Sequence, residues 1–394
     1  SFDGTVLGQH ATVSDPVSGD QTWEKVVSKN LGLDLNMFNN RLSLTTDFYI
    51  RDTKGILGKG KSLPSIYGAS EPQMNANNLR TKGYELVLGW RDSFKLAGST
   101  FSYGITGTFS DYTAEYTKCD NPTGLIGDPY VGKKYGEIWG YKVDGLFRND
   151  KEAAEYASRI DLSTVASGYY TATGAYGKGV RGGDIKYLDL NGDNIVNGGK
   201  GTLDDPGDRR VIGNSSPRYQ YGASLNFSWY GFDVSVFMQG IGRLDWYPGA
   251  DNLRFWGPYC RPYATFVPKN FMSQVWSEEN PDAYFPRARA YTSLNSNSGT
   301  AYYTNDRYLQ NLAYCRVKNI TVGYTIPAVW TKKVKIERLH IYFSGENLFT
   351  FSPLKSDYID PEQASAENSI QSANGNAKLY PWSKTYSFGV NVTF

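Results

Sequence analysis

The sequence has 394 residues, and its 41 basic and 39 acidic side chains leave a formal net charge of only +2. Because the charge is balanced and no arginine-rich run occurs, no nucleic acid is expected as a partner. The chain holds 31 Tyr, 19 Phe and 9 Trp at a mean hydropathy of −0.48, without the roughly 20 consecutive apolar residues of a spanning helix. Such a composition is typical of β-barrels, whose lipid-facing and lumen-facing side chains alternate.

Nine segments alternate apolar and polar side chains with the period of two expected of β-strands. In chain order they lie at 22–36, 41–56, 78–91, 99–114, 218–230, 232–243, 309–325, 336–350 and 382–394. Short turns are predicted at 37–40, 92–98, Gly231 and 327–335, and long loops at 57–77, 115–217, 244–308 and 351–381. This alternation indicates an all-β fold, an antiparallel transmembrane barrel with periplasmic turns and long extracellular loops.

The strands divide the chain into six parts. They are an extracellular loop end with a probable chain break (1–21), four barrel strands (22–114), a long extracellular excursion (115–217), a barrel hairpin (218–243), an aromatic-rich extracellular loop (244–308) and the last strands (309–394). A strand-like stretch at 135–148 is assigned to the excursion, and a short helix is predicted at 150–159. Nine strands would leave two open edges, so we expect a missing amino-terminal part of the same barrel to supply the others.

The carboxyl-terminal strand is the clearest single element. Its apolar face consists of Tyr386, Phe388, Val390, Val392 and Phe394, and the intervening residues are small or polar. A terminal aromatic residue after such a strand is typical of outer-membrane assembly signals. The alternation alone also fits a strand of a soluble β-sandwich, whose side chains likewise point to opposite faces.

A candidate cation site lies within the long excursion. Asp189, Asn191 and Asp193 carry oxygen ligands at alternate positions, as at the start of a calcium loop. Lys200 stands where an EF-hand would place its Glu, so Asp204, Asp205 or Asp208 could complete the shell instead. The sequence allows a structural calcium or magnesium ion here, or a polar Asx-turn loop without an ion; no other cofactor is required.

The loop 244–308 is the candidate solute-binding region, because aromatic faces and arginines can stack on sugar rings or hold a peptide. The candidate residues are Trp246, Tyr247, Arg254, Phe255, Trp256, Tyr259 and Arg287. The same residues would also suit internal packing of the loop, or an interface with a partner protein, where Tyr, Trp and Arg are favoured.

The sequence predicts no enzyme. Of its two histidines, His10 lies in the presumed nicked loop and His340 lies on a strand, without identifiable partners for a Ser-His-Asp site. No phosphate-binding glycine loop, zinc-ligand spacing or nucleophile elbow occurs in the sequence.

Several segments resemble the SusC-like TonB-dependent transporters of Gram-negative bacteria. Among them are Gly183-Asp-Ile-Lys-Tyr-Leu-Asp-Leu-Asn-Gly-Asp193 and Val317-Lys-Asn-Ile-Thr-Val-Gly-Tyr324, and the others lie at 23–24, 30–34, 40–43, 47–49, 82–86, 210–214, 230–237, 239–240 and 345–349. The resemblance implies the carboxyl-terminal portion of a barrel of about 22 strands with a plugged lumen, in the outer membrane.

The family resemblance also implies a function and partners. These are import of oligosaccharides or oligopeptides, a SusD-like lipoprotein as lid, and coupling to TonB through an amino-terminal plug expected outside this sequence. The alternative is a soluble extracellular β-sandwich that binds carbohydrate. The two hypotheses differ in the surroundings of Leu225, Phe227 and Trp229 in one strand and Val234, Val236 and Met238 in the next, which would face lipid in a barrel and a second sheet in a sandwich.

Overall fold

The computed structural model describes residues 19, 21–59, 72–171, 179–250, 252–260, 267–289, 294, 299–364 and 382–394. The strands in chain order are β1 (Lys25–Met37), β2 (Leu42–Lys59), β3 (Gln73–Leu96), β4 (Ser99–Lys118), β5 (Glu137–Tyr141), β6 (Val143–Leu146), β7 (Ile185–Tyr187), β8 (Arg209–Asn214), β9 (Arg218–Trp229), β10 (Phe232–Arg243), β11 (Asp245–Trp246), β12 (Gln310–Asn311), β13 (Tyr314–Thr325), β14 (Arg338–Phe351) and β15 (Thr385–Thr393).

The helices are short. They are α1 (Asp150–Ala157), α2 (Ser167–Thr171), α3 (Leu253–Trp256), α4 (Phe271–Gln274), α5 (Ala328–Thr331) and α6 (Pro361–Ala364), with 3-10 turns at Gly257–Tyr259 and Lys332–Val334. Within the described ranges, no helix has the length and apolar character needed to cross a membrane. The predicted chain break at 1–21 and His10 lie outside the described residues, apart from positions 19 and 21.

Nine strands form one antiparallel sheet in the order β1-β2-β3-β4-β9-β10-β13-β14-β15. Each corresponds to a predicted strand, but several differ in extent: β3 begins at Gln73 rather than at 78, and β2 and β4 continue to Lys59 and Lys118. The predicted turn at 92–98 is wrong, because β3 continues to Leu96. The strand predicted at 309–325 begins only at Tyr314 in the structure. Gln310 and Asn311 pair with β11 instead.

The short connections all lie at one end of the sheet. Two are two-residue turns, Ala97–Gly98 and Tyr230–Gly231, in which both residues have positive φ angles. Such turns match the right-handed twist of the flanking strands, and glycine adopts the required conformation at no steric cost. This geometry fixes the register of the β3–β4 and β9–β10 hairpins.

The register places apolar side chains on one face of the sheet, here called the apolar face. Leu225 lies opposite both Ile105 and Val236, and Phe227 lies opposite Val234. The face continues through Ile320, Val322, Ile341, Phe343, Phe388 and Val390. On the other side, the polar face, Ser235 lies opposite Asn226 and Thr321. No second sheet covers the apolar face within the described part of the chain.

Aromatic rings form a row at each end of the apolar face. The row nearer the long connections comprises Phe48, Tyr84, Phe109 and Tyr219, with neighbouring centroids 5.9–6.4 Å apart. The row nearer the short turns includes Phe94, Phe101, Tyr103, Trp229, Phe232 and Tyr324. Tyr219 and Trp229 lie near opposite ends of β9, so at ~3.3 Å per residue and a tilt of about 40° the rows are about 25 Å apart. This separation matches the apolar band of a membrane barrel.

The long connections pack together at the other end of the sheet. Their described parts, within 119–217, 244–313 and 352–364, are here called the loop layer, and they share one hydrophobic core. The short strand pairs β5–β8, β6–β7 and β11–β12 belong to this layer. The stretch 135–148 thus lies outside the nine-stranded sheet, as its assignment to the excursion requires. The predicted helix at 150–159 is α1, which Asn149 caps through a hydrogen bond from the Glu152 amide.

Candidate functional site

The aromatic candidates lie mostly inside the loop layer. Trp246, Phe255, Trp256 and Tyr259 are at most 5% exposed. Trp256 is the best packed: its indole N–H donates to the carbonyls of Pro248 and Gly249 at 3.1 Å. The rings of Trp246, Trp256 and Tyr259 are buried in protein, as the internal-packing alternative requires, whereas Phe255 also borders a cavity that Arg254 lines. Contact between these four residues and a solute stays a prediction. In this arrangement their side chains are at most 5% exposed.

Local sequence explains how the loop brings these rings inward. Asn252 caps α3 by accepting a hydrogen bond from the Phe255 amide at 3.0 Å, and Gly257 ends the helix with a φ of +53°. A capped single turn holds Phe255 and Trp256 on adjacent positions of one element. The two rings then meet edge to face at 4.9 Å.

Tyr247 belongs to a buried hydrogen-bond network. Its hydroxyl donates to the carbonyls of Ala301 and Tyr303 at 3.0 Å and accepts from the Asn305 amide at 3.0 Å. The Tyr187 hydroxyl donates to the Thr300 carbonyl beside it. Burial raises the pKa of both tyrosines well above the ordinary value, so both are neutral donors at physiological pH. The network ties 299–308 to β7 and to Tyr247, the residue that follows β11.

The two arginines differ from the buried rings. Arg287 stacks on Trp276, with its guanidinium carbon 4.6 Å from the ring centroid, and approaches Asp150 at 3.6 Å. Arg254 lines a cavity of about 400 Å³ together with Phe271, Tyr284, Leu354 and Lys355, among others. The structure therefore does not bring all seven predicted residues to one surface. Solute contact by Arg254 and Arg287 stays a prediction.

A buried ion pair crosses the loop layer. Arg289 donates to Asp184 at 2.5 Å, and the side chains are 4% and 1% exposed. Arg289 also lies over the Tyr169 ring, 4.1 Å from its centroid. Burial raises the pKa of the Asp184 carboxyl to about 6, although the neighbouring Arg289 acts in the opposite direction. Sequence reading had no signal for this pair, because its members are 105 residues apart.

The predicted cation loop is a compact Asx-turn structure. Asp189 accepts hydrogen bonds from the amides of Gly192 and Asn194, and Asn191 accepts from that of Asp193. Asp204 and Asp205 lie further along the loop, with the Asp205 amide donating to the Thr202 hydroxyl. The described residues contain no cluster of three or more His, Cys, Asp or Glu side chains arranged to hold a metal. A calcium or magnesium ion at Asp189, Asn191, Asp193, Asp204 and Asp205 stays a prediction.

A second charge network lies where the loop layer meets the polar face of the sheet. Arg316 of β13 donates to Asp360 at 2.7 Å and to Glu362 at 2.5 Å, and Lys318 donates to Glu362 at 2.9 Å. The Arg316 side chain is only 3% exposed. The sequence shows two cations two positions apart on a strand, but nothing in it identifies their partners, Asp360 before α6 and Glu362 within it.

His340 has one acidic neighbour on the polar face. Its Nε2 lies 2.9 Å from Asp233 Oδ1, near the short-turn end of the sheet. This pair joins β14 to β10 across β13.

Comparison with known proteins agrees with this architecture. No family model matches the sequence. The chain is 25% identical to TonB-dependent receptor P3 of Formosa agariphila, an alignment that covers 97% of this chain and 35% of that protein. It is 21% identical to TonB-dependent receptor SusC of Bacteroides thetaiotaomicron, covering 94% and 32%. The RagAB peptide transporter has a similar structure, with a TM-score of 0.65 at 20% identity, covering 97% of this chain and 37% of that one.

The nine-stranded sheet with its apolar face forms part of the wall of a large antiparallel outer-membrane barrel, as predicted. The loop layer lies at one end of this wall. Together with the similarity to TonB-dependent receptors, this confirms the resemblance seen in the sequence. Over 94–97% of its length the chain is similar to TonB-dependent receptors, SusC among them, and this similarity and the barrel wall both indicate the outer membrane as its location. It spans about a third of the length of the curated relatives it matches.

Two neighbouring residues of β10 test the assignment of the faces. Val236 lies on the apolar face and Ser235 on the polar face. Val236→Arg is expected to lower the unfolding free energy of the whole protein by about 2–4 kcal/mol, because it places a charge at the bilayer midplane. Ser235→Arg, the matched control, should have a much smaller effect. Urea unfolding in phospholipid bilayers measures both; equal losses would contradict the assignment.

Proposed function

We propose that the protein works in TonB-dependent import of oligosaccharides or oligopeptides across the outer membrane. The observation that carries the proposal is a membrane-type barrel wall whose long connections fold into one packed layer at a single end. A layer with its own core can form a structured mouth for the barrel. The kinship with TonB-dependent receptors supports the same function, and the structural neighbour is named as a peptide transporter.

The proposed function requires partners. The outer edges of β1 and β15 have no neighbouring strand within the described residues, and an open sheet of this length cannot stand in lipid. We infer that a further part of the same barrel pairs with these edges and supplies the plug that TonB engages. A SusD-like lipoprotein is proposed as the lid over the loop layer.

The soluble β-sandwich alternative lacks support. A sandwich needs a second sheet about 10 Å from the first. Instead, apolar side chains such as Phe388, 83% exposed, and Val390, 61% exposed, stand uncovered in the described structure. A lipid bilayer is the environment that suits this face.

Solute depletion by living cells tests the proposal. Cells that express the whole protein, cells that lack its gene and cells that lack TonB would each receive defined mixtures of oligosaccharides and oligopeptides. We expect only the first strain to remove one of the two mixtures, which would also decide the class of solute. Equal depletion of both mixtures by all three strains would contradict the proposed function.

Purification tests the partner proposal separately. Native mass spectrometry of the detergent-extracted complex should show the whole barrel together with a lipoprotein. A barrel that carries no lipoprotein under several mild detergents would remove the lid from the proposal, while leaving transport open to the depletion assay.

A further inference from the structure

The connection that follows β14 runs back over the polar face of the sheet. Its described part, 352–364, is here called the strap. Its buried apolar residues are Ile359, Pro361 and Ala364. Arg316 and Lys318 of β13 hold the strap carboxylates Asp360 and Glu362, and these four residues are here called the clasp.

The local shape of β13 makes the clasp possible. Arg316 lies opposite Gln239 of β10 and Thr350 of β14, which places it on the polar face. The pairing with both neighbours then skips Lys318, which is the extra residue of a β-bulge. Residues two apart on a strand share a face, so Lys318 follows Arg316 on the polar side and both reach Glu362. The bulge then changes the alternation, and Asn319 also lies on the polar face, opposite Phe237.

Each clasp residue is held by more than one contact. Arg316 Nε donates to the Thr350 hydroxyl at 2.9 Å, and the Gln239 amide donates to Glu362 at 3.1 Å. The other oxygen of Asp360 accepts a hydrogen bond from the Glu362 amide at 3.0 Å, which caps α6. Lys318 Nζ also lies 5.0 Å from the Trp382 ring centroid. The clasp therefore depends on the directions of its hydrogen bonds as well as on the charges of its four residues.

This arrangement is better suited to setting position than to adding stability. A buried ion pair loses about as much hydration as it gains in attraction, and apolar residues of equal volume would often be as stable. Apolar packing is non-directional, so Ile359 and Pro361 alone would allow the strap to slide. Directed, charge-assisted hydrogen bonds allow a single register.

We propose that the clasp is a latch that fixes the strap at one position on the inner wall of the barrel. The strap in turn contacts another part of the loop layer, the connection 244–313: the Ser356 hydroxyl donates to the Arg254 carbonyl at 3.2 Å, and the Lys355 amide donates to Gln310 at 3.2 Å. The latch thereby sets the distance between the barrel wall and the α3 region. When it opens, the strap leaves the wall and exposes Arg316 and Lys318 to the lumen.

Hydrogen exchange of the whole protein in detergent, read by mass spectrometry, tests the latch. Glu362→Gln keeps the side-chain size and removes the charge shared by Arg316 and Lys318. We expect the strap amides to exchange at least tenfold faster, with the amides of β13 and β14 unchanged. A role in general stability would instead accelerate the strap and both strands together, and that result would overturn the proposal.

Two further variants keep the test decisive. Lys318→Gln removes one arm of the clasp and leaves Arg316 in place, so it serves if Glu362→Gln fails to assemble; a smaller acceleration confined to the strap is expected. Lys142→Gln, which breaks the Lys142–Asp306 pair elsewhere in the loop layer, is the matched control. Unchanged strap exchange in Lys318→Gln, or equal strap exchange in this variant and the control, would rule out the latch. The proposal does not depend on solute import and can fail independently of it.

Discussion

Trp256→Ala is expected to lower the local unfolding free energy of the loop layer by about 3–5 kcal/mol. The side chain is fully buried, and its ring contacts Phe255, Phe285 and Tyr308 with centroids 4.9–6.3 Å apart. The substitution removes this apolar surface, leaves a cavity and takes away the indole donor. Native-state hydrogen exchange of 244–260 in the whole protein measures the loss.

Trp23→Ala is the matched control for this prediction, because Trp23 is 92% exposed. It should leave exchange in the loop layer unchanged. The experiment also separates the two hypotheses for the aromatic loop. If Trp256→Ala abolished solute binding while hydrogen exchange stayed as in the unmodified protein, Trp256 would be a contact residue rather than part of the core.

Removing one member of the Asp184–Arg289 pair should have an effect of similar size. Arg289→Ala leaves a carboxyl group with 1% exposure without its charged partner, and breaking a buried pair in this way costs about 3–5 kcal/mol. Exchange of 183–187 and 299–308 should accelerate accordingly. Replacing both residues together, as Asp184→Leu with Arg289→Met, should recover much of the loss because no unpaired charge remains.

The control for this pair is Lys151→Ala. Lys151 and Glu155 form an exposed pair at 3.9 Å on α1, with side chains 87% and 65% exposed, and such pairs contribute little. If the control and Arg289→Ala gave the same exchange rates, the buried pair would not stabilise the layer.

The same carboxyl predicts a pH dependence. Its pKa is about 6 in the folded layer and near 3.8 in an unfolded chain, so the folded state binds the proton more tightly. The resulting stabilisation is fully present below pH about 4 and is lost as the pH rises through about 6. The loop layer should therefore unfold more easily at pH 8 than at pH 5, and Asp184→Asn should remove this part of the slope. An unchanged slope in that variant would assign it to other groups.

Much of the barrel wall could be predicted from the sequence because its signals are local. Alternation along Tyr386–Phe394 determines which side chains share a face before any partner strand is known. The rhythm of short and long connections determines which end of the sheet carries the loops. The extents were less certain: β3 runs to Leu96 because a two-residue turn at Ala97–Gly98 needs no longer connection.

The loop layer could not be predicted in the same way. Trp256 and Arg254 lie two residues apart in one aromatic segment, yet one is sealed in the core and the other borders a cavity. Which of them is buried depends on how three connections, far apart in the chain, pack on one another. The same residue types, aromatic residues and arginines, serve both a packed core and a binding surface. Composition alone therefore does not show which role a given residue has.

The sequence by itself thus determined the membrane-type wall, its two faces and its similarity to SusC-like transporters. Alternation and short motifs depend only on residues that are neighbours in the chain. Only the tertiary structure decided the partners of buried charges. Arg316 meets Glu362 across 46 residues and Arg289 meets Asp184 across 105. The strength of each pair depends on burial and on angstrom-scale geometry, which arise only when distant segments fold together.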